Sequence, residues 1–476
     1  MWDVCFLVLK RRDSGNPKAP GQLSRRAAPP QNDPMAHGTQ NGERDQKLND
    51  LYRRLVEEED ARVCKDIPSE ACTEVPGNFF KIGGSQVLTK LADELASAKT
   101  VLPWLLGSLG APAFWIGFLV PIRESGSLLP QLAIAGAIRN RPIRKWVWVL
   151  GAGLQATALL GMAATAFLLR GSAAGLAIVG LLVLFSLARG LVSVASKDVT
   201  GKTVPKTRRG RLTGFTTAAA GLLTLALGAV LAGLVPGDPP PEVTAVLLLA
   251  AAVLWILASG IFGSVREQPG ATEGGGNAVR EALERLDLLR TDKPFRRFVV
   301  VRALLISTAL AAPYYVALAR EAGAGGGGSL ALFILASGLA SALSSAFWGR
   351  FSDRSSRGVL VAAAVGASTL GALVFVLDAV GLVDRMGWLA PVAFFLLAIA
   401  HSGVRIGRKT YILDMAGGNR RTDYVAVSNT VMGGVLFLSS ALGLLAPLLG
   451  PAGMLLVLSL MGFAGAWGGR RLPEAE

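Results

Sequence analysis

The chain has 476 residues, 51% of them hydrophobic and 17% charged, with 57 Gly, 24 Pro and a formal net charge of +15. Soluble domains average about 25% charged residues; here the mean hydropathy is +0.47, and apolar runs of about 20 residues recur, each long enough to cross a hydrocarbon core of about 30 Å. Disorder, a collagenous repeat and a secreted disulfide scaffold are excluded for the bulk of the chain, and the expected solvent is a lipid bilayer.

In chain order, residues 1–85 read as a polar cytoplasmic extension, largely disordered, with one short surface helix. Gln46 to Arg62 places Leu48, Leu51, Tyr52 and Leu55 on one helical face. The apolar run Val4–Leu9 precedes Lys10, Arg11 and Arg12, the reverse of a secretory signal, so no cleaved signal is expected. Met35, after a Pro-rich stretch, is a second candidate start. Cys5, Cys64 and Cys72 all precede the first apolar segment and form no ligand pattern with His37 or His401, so they read as free thiols.

Twelve apolar segments follow. Six are expected at about 86–109, 116–138, 146–169, 173–196, 212–235 and 243–265, making an N-terminal bundle over 86–265. Six more are expected at about 297–319, 329–349, 358–380, 387–408, 424–446 and 451–469, making a C-terminal bundle over 297–476 with a short cytoplasmic tail. Between them, 266–296 opens Gly-rich and continues as the charged Glu281–Arg290, a cytoplasmic linker.

The loops orient these segments. Arg139, Arg141, Arg144 and Lys145 follow segment two, and Lys202, Lys206, Arg208, Arg209 and Arg211 follow segment four. Arg350, Arg354 and Arg357 follow segment eight; Arg408, Lys409, Arg420 and Arg421 follow segment ten. The opposite loops offer only Arg170, Arg320 and Arg385. This asymmetry predicts that both termini are cytoplasmic, and it accounts for the charge excess without nucleic acid.

The two halves repeat. Gly136, Asn140, Arg141 and Arg144 are matched at an offset of 213 by Gly349, Asp353, Arg354 and Arg357. At an offset of 212, Arg189 falls on His401, Lys197 on Lys409, and Arg208 and Arg209 on Arg420 and Arg421. Such repeats typically enclose a midplane site at their interface.

The stretch Gly349 to Arg357 closely resembles the loop motif G-x-x-x-D-R-x-G-R-R of the major facilitator superfamily, with Ser356 for the later glycine and Gly358 for the last basic residue. The copy at Gly136 to Lys145 has Asn140 for the acid and Ile143 for that glycine. With twelve segments and a central loop, the resemblance covers residues 86–476. It implies an all-α membrane protein of twelve transmembrane helices in two pseudo-symmetric six-helix bundles, with segments one, four, seven and ten lining a central cavity. Arg189 looks like the arginine many members place in segment four, but the accompanying Gln-Gly is Val192 and Ser193 here. Segment five has Gly214, Gly221 and Gly228 without the Gly-Pro pair typical of drug-proton antiporters, which argues against multidrug efflux. The pattern is most similar to uncharacterised bacterial permeases. The resemblance also implies that the loop acid holds an inner gate. Asp353 is then expected beside Arg208, Arg209 and Arg211, while the uncharged Asn140 leaves Arg141 to Asp423, giving an asymmetric gate built on Gly136, Asn140, Arg141, Arg144, Gly349, Asp353, Arg354 and Arg357.

Ionisable groups near the bilayer centre cost about 2.5–3.5 kcal/mol on insertion scales, so each needs a cavity, a partner or a route to the interface. Asp93, Lys99, Arg189, Arg302, His401 and Arg405 are the candidate substrate or proton-coupling residues. Asp93 and Arg302 are read at similar depth, as partners in a proton exchange. Asp93, Glu94, Arg302 and Arg405 also admit a plainer reading, as snorkelling or structural ion pairs near the cytoplasmic side. Arg123 and Glu124, about 20 Å from Gly136 along segment two, are assigned to the outer side and kept outside the main site.

These readings predict a secondary transporter that moves a small solute, anionic or zwitterionic where basic residues outnumber acids in the cavity, by alternating access in a bacterial cytoplasmic membrane. Coupling to protons, a monomeric state and the absence of metal and cofactor belong to the same expectation. No Walker-type loop, His-Glu-x-x-His or clustered ligand set points to an enzyme. The rival from another class is a non-transporting membrane sensor or assembly factor that uses the N-terminal extension to bind a partner.

Overall fold

In hydrocarbon, every backbone N–H and C=O must be satisfied within the protein, and a helix does this inside one segment. The computed structural model describes residues 52, 74–139, 141–235, 239–270, 285–322, 330–352, 355–415 and 421–474, and all regular structure among them is helical. The first six passes are α1 (Val75–Leu95, resuming as Val101–Ser108), α2 (Ile116–Leu128, resuming as Gln131–Arg139), α3 (Lys145–Leu168), α4 (Gly171–Thr203), α5 (Lys206–Leu234) and α6 (Pro241–Gly263). The second six are α7 (Lys293–Leu304, resuming as Ser307–Leu310 and Ala312–Glu321), α8 (Leu330–Ser352), α9 (Ser356–Ala379), α10 (Leu389–Met415), α11 (Arg421–Ser439, closing with a 3-10 turn at Ser440–Leu445) and α12 (Ala446–Arg470).

Eight described stretches are each long and apolar enough to cross a membrane, with α11 and α12 running together as one of them. The passes outside this set are α1, whose first part is long enough but polar, α2, shortened by its break, and α8. Local chemistry sets the ends. Asp292 caps α7, accepting from the Phe295 N–H at 2.9 Å, and Ser355 caps α9, accepting from Gly358 N–H at 2.9 Å. Gly171, at φ 62°, supplies the left-handed residue that turns α3 into α4.

Packing repeats after six helices. In the N-half α3 lies against α4 and α6, and α2 against α4; in the C-half α9 lies against α10 and α12, and α8 against α10. The halves meet through two symmetry-related pairs, α5 with α8 and α2 with α11, and through the outer parts of α1 and α7. In the N-half core Trp148 stacks on Phe262 at 4.1 Å, and Trp255 lies 6.2 Å from Trp148 and 6.4 Å from Phe185. Each such aromatic pair contributes about 0.5–1.5 kcal/mol beyond its buried area. Leu176, Leu222, Val246, Ile256, Leu373 and Leu448 project outward, as a lipid-facing surface requires.

Several boundaries differ from the hydropathy reading: α4 and α10 each run seven residues further, to Thr203 and Met415, and α5 and α12 start earlier, at Lys206 and Ala446. The first helix starts at Val75 rather than near residue 86, and α7 starts at Lys293 rather than near 297. Polar residues in the early turns of α1 hide it from a hydropathy window, yet neighbouring helices satisfy them. Asn78 exchanges hydrogen bonds with the backbone of Arg266 at 2.9 Å, and Lys90 donates to Thr216 at 3.2 Å. Of the proposed surface helix at 46–62, only Tyr52 is described; it is helical and buried, 5.4 Å edge-on from the Phe79 ring. The expectations for Met35, Cys5, Cys64, Cys72 and the middle of the linker lie outside the described residues.

Candidate functional site

The break in α1 at residues 96–100 puts Asp93 and Glu94 at the end of one half-helix and Lys99 in the gap before the next. Interrupted helices of this kind recur at transporter binding sites, because irregular backbone inside a membrane is tolerated where it lines a cavity. Asp93 is held from two sides. Arg123 Nη2 of α2 donates to its Oδ1 at 3.0 Å, and Arg189 of α4 pairs with Oδ2. Each arginine is also backed by an aromatic ring, Arg123 by Phe185 at 4.8 Å and Arg189 by Trp255 at 5.8 Å. Glu94 reaches across to the other half, where Ser337 of α8 donates to its Oε2 at 3.0 Å.

These groups line a polar chamber of about 260 Å³, which shares Lys99 and Glu124 with a larger cavity of about 560 Å³. The larger chamber belongs mostly to the C-half. Arg302 of α7 donates to Ser428 at 2.6 Å and to Asn429 at 2.9 Å, both on α11. His401 Nδ1 lies 3.0 Å from the Thr308 hydroxyl. Below His401, Arg405, Arg408 and Lys409 descend α10 toward its end at Met415 and line the same chamber. Among the described residues, no carboxylate lies within ion-pair distance of Arg302, Arg405, Arg408 or Lys409.

The chamber continues to Leu360, Ile412 and Val425, near the end of the bundles that carries the basic loops. The opposite end is sealed where the halves meet. Gly228 of α5 faces the backbone of Leu335, Gly338 of α8 faces that of Leu225, and Gly117 of α2 lies against Gly443; a side chain on the first two would come within 2.6 and 2.8 Å of backbone nitrogen. Trp104 and Phe333, with centroids 6.4 Å apart, pack in the same seal.

All six candidate residues therefore lie on these two chambers: Asp93 and Arg189 on the smaller, Arg302, His401 and Arg405 on the larger, and Lys99 on both. The pairing of Asp93 with Arg302 is corrected, since the acid is engaged by Arg123 and Arg189 and the arginine by two neutral side chains. The placement of Arg123 and Glu124 outside the site is corrected as well, for a reason of length. With α1 starting at Val75, Asp93 lies about 27 Å from its inner end, deep enough to meet Arg123, whereas Arg302 lies only about 13 Å into α7. Arg408, Lys409 and Asn429 also escaped the sequence reading. The signal for the first was present, since His401, Arg405 and Arg408 follow the spacing that keeps residues on one helical face.

Of the loop residues, Asn140, Asp353, Arg354 and the Asp423 side chain lie outside the described residues, so the asymmetric gate finds no test there. Gly136 lies in the last turn of α2 and Gly349 in that of α8. Arg144 pairs with Asp198 of α4, and its side chain donates to the Arg141 carbonyl at 3.1 Å. Glu267, from the start of the linker, accepts from the backbone N–H groups of Arg144 and Lys145 at the head of α3 and pairs with Lys202 at 2.9 Å. Arg209 donates to the Val204 and Gly201 carbonyls at the end of α4, at 3.0 and 2.8 Å. Arg357 donates to the Leu472 carbonyl at 2.9 Å and pairs with Glu474.

No curated protein matches the sequence. Similar solved structures include the nucleoside transporter NupG, with TM-score 0.65 and 12% identity over 83% of this chain and 98% of that one. Others are the inward open conformation of the xylose transporter XylE from E. coli, with TM-score 0.61 and 15% identity over 84% and 97%, and a POT family transporter in complex with 5-aminolevulinic acid, with TM-score 0.62 and 12% identity over 82% and 94%. At these identities the likeness carries the fold alone. The model of the Major Facilitator Superfamily matches residues 94–440, from the end of the first part of α1 through the end of α11, and the chain belongs to that superfamily.

Proposed function

We propose that the protein is a secondary transporter of a small anionic solute. The observation that carries this reading is the set of cations around the larger chamber, Arg302, Arg405, Arg408 and Lys409, that have no carboxylate within ion-pair distance among the described residues. Seven basic residues, including Lys99, Arg123 and Arg189, border the two chambers, against the acids Asp93, Glu94 and Glu124. The three acids match Lys99, Arg123 and Arg189 of the N-half in number, so the excess falls on the C-half. A charge removed from water without a partner costs several kcal/mol, and an anionic solute supplies the missing partner. Nucleosides and xylose, the solutes named for two of the similar structures, carry no net charge and do not call for such a cluster.

Alternating access follows from a chamber between two repeats that is closed at one end. With the basic loops in the cytoplasm, this conformation is inward-open, the termini are cytoplasmic, and the protein works as a monomer in a bacterial cytoplasmic membrane. Protons are assigned to Asp93, whose partners sit on two other helices of the same half. Purified protein in liposomes tests the reading. Counterflow should be inhibited by carboxylates and phosphate monoesters and be indifferent to neutral sugars and nucleosides, and the reverse pattern overturns it. Asp93→Asn should abolish pH-driven accumulation while sparing counterflow; accumulation at the normal level removes the proton assignment. A sensor or assembly factor would show no counterflow with any solute.

A further inference from the structure

The larger chamber is chemically layered. At 1.5 Å per residue, Arg408 and Arg405 lie about 10 and 15 Å from the end of α10, and Arg302 and Asn429 lie about 13 and 12 Å from the starts of α7 and α11. One slab therefore holds three guanidiniums and an amide. At the next level toward the sealed end, one wall of the chamber is apolar. By the same measure, Leu128 and Met432 lie about 16 Å along α2 and α11, Ile306 about 20 Å along α7, and Leu436 about 22 Å along α11. Glu124, Thr308 and His401 lie at about 21–22 Å by that measure and form the polar side of the same level, with Lys99 deeper still.

We propose that the solute is an amphiphilic organic anion bound end-on, its head group among Arg302, Arg405 and Arg408 and its hydrocarbon body over Met432, Leu436 and Ile306. The inference rests on the anion reading above and narrows it. A chamber of about 560 Å³ has the size of sites for organic ligands, which run from about 300 to 1,000 Å³. An inorganic anion would fill only the cationic slab and leave the apolar wall wet, forgoing its burial. A neutral apolar solute would leave the guanidiniums without a counter-charge.

The test is a homologous series of linear carboxylates from acetate to decanoate, competed against counterflow in proteoliposomes, with alcohols of matched length as probes of partitioning and charge. Each added methylene should tighten inhibition about fourfold, until the chain reaches Lys99 and Glu124 and the gain stops. The matched alcohols should bind at least tenfold more weakly, and Met432→Gln or Leu436→Gln should reduce the gain per methylene. Carboxylates that inhibit equally at every length overturn this inference and leave the anion reading standing. Alcohols that inhibit as well as the carboxylates overturn the anion reading itself.

Discussion

Replacing Asp93 by asparagine removes one charge and scarcely any volume, so its consequences are electrostatic. The carboxylate accepts from Arg123 at 3.0 Å and pairs with Arg189, and the three side chains are 17 to 29% exposed. A hydrogen bond to a charged group contributes about 1.5–3 kcal/mol. Asparagine keeps one acceptor oxygen but takes the charge from both contacts and sets an amide NH2 against one guanidinium; with partial exposure placing each contact at the lower end, the expected cost is about 3 kcal/mol, consistent with the 3–5 kcal/mol for stranding a buried charge. For a bundle of roughly 150–250 residues, each kcal/mol moves the thermal midpoint by about 2–4 °C. Asp93→Asn should therefore melt about 6–12 °C below the parent.

A mutant cycle separates this pairing from a generic loss. Arg189→Gln leaves the bond between Asp93 and Arg123 intact and should cost about half as much as Asp93→Asn. Combining the two substitutions removes the carboxylate with one of the cations it neutralised, so their costs should fail to add by about 1–3 kcal/mol. Thermal unfolding of the four proteins in one detergent at one salt concentration gives the answer. Additive costs, or an Asp93→Asn midpoint within about 2 °C of the parent (less than about 1 kcal/mol), would refute the triad as the structural centre of the N-half.

Three further outcomes follow from other parts of the molecule. Arg408→Gln should raise the half-saturating concentration of a transported anion about tenfold in counterflow, the loss of one charge-assisted contact, and an unchanged value would remove Arg408 from the binding slab. Gly228→Val introduces a side chain where only 2.6 Å separates its Cβ from the Leu335 nitrogen, costing the sealed outer end about 1–3 kcal/mol; labelling of a cysteine at Met432 from the basic-loop side should fall accordingly, and full labelling would mean the α5–α8 contact does not hold the seal. Cysteines at Arg141, Arg209, Arg285, Arg354 and Arg421 should all react only from the cytoplasm, and two of them labelled from outside would sink the twelve-pass topology.

The segments, the repeat and the loop motif were legible because hydropathy, spacing and charge are local properties of the sequence. The membrane charges were legible as a set, since a charge in an apolar run requires an explanation wherever its partner lies. Their pairing was not. Counting along the helices pairs Asp93 with Arg302 because hydropathy starts α1 eleven residues late, its first turns carrying Asn78 and Lys81. The neighbours of such residues lie far off in the chain: Lys81 donates to the Ser264 carbonyl at 2.9 Å, and Lys90 to Thr216. Asp198 and Glu267 escaped for the same reason. Asp198 meets Lys202 one turn on in α4, a local pair, but Arg144 from the head of α3 and Glu267 from the linker reach them only in the folded N-half.

The repeat also explains why one half has an excess of cations and the other does not. At the offset of 212 that carries Arg189 onto His401, Asp93 and Glu94 fall on Leu305 and Ile306. The N-half thus holds acids where the C-half holds hydrocarbon, and Leu305 lines the chamber one helical turn from Arg302. If the anion binds because those cations lack a partner, a built-in carboxylate should replace it. Leu305→Asp places one at i+3 from Arg302, a spacing at which side chains on a helix meet, on the wall of the chamber that Arg405 also lines. The variant should retain its fold, because the new charge meets cations, and should lose anion affinity by at least the tenfold that one competing charge-assisted contact represents. Counterflow inhibition and thermal unfolding measured on the same preparation decide it. A folded Leu305→Asp protein with undiminished anion affinity would mean that the cations of the C-half serve the structure and do not bind the solute.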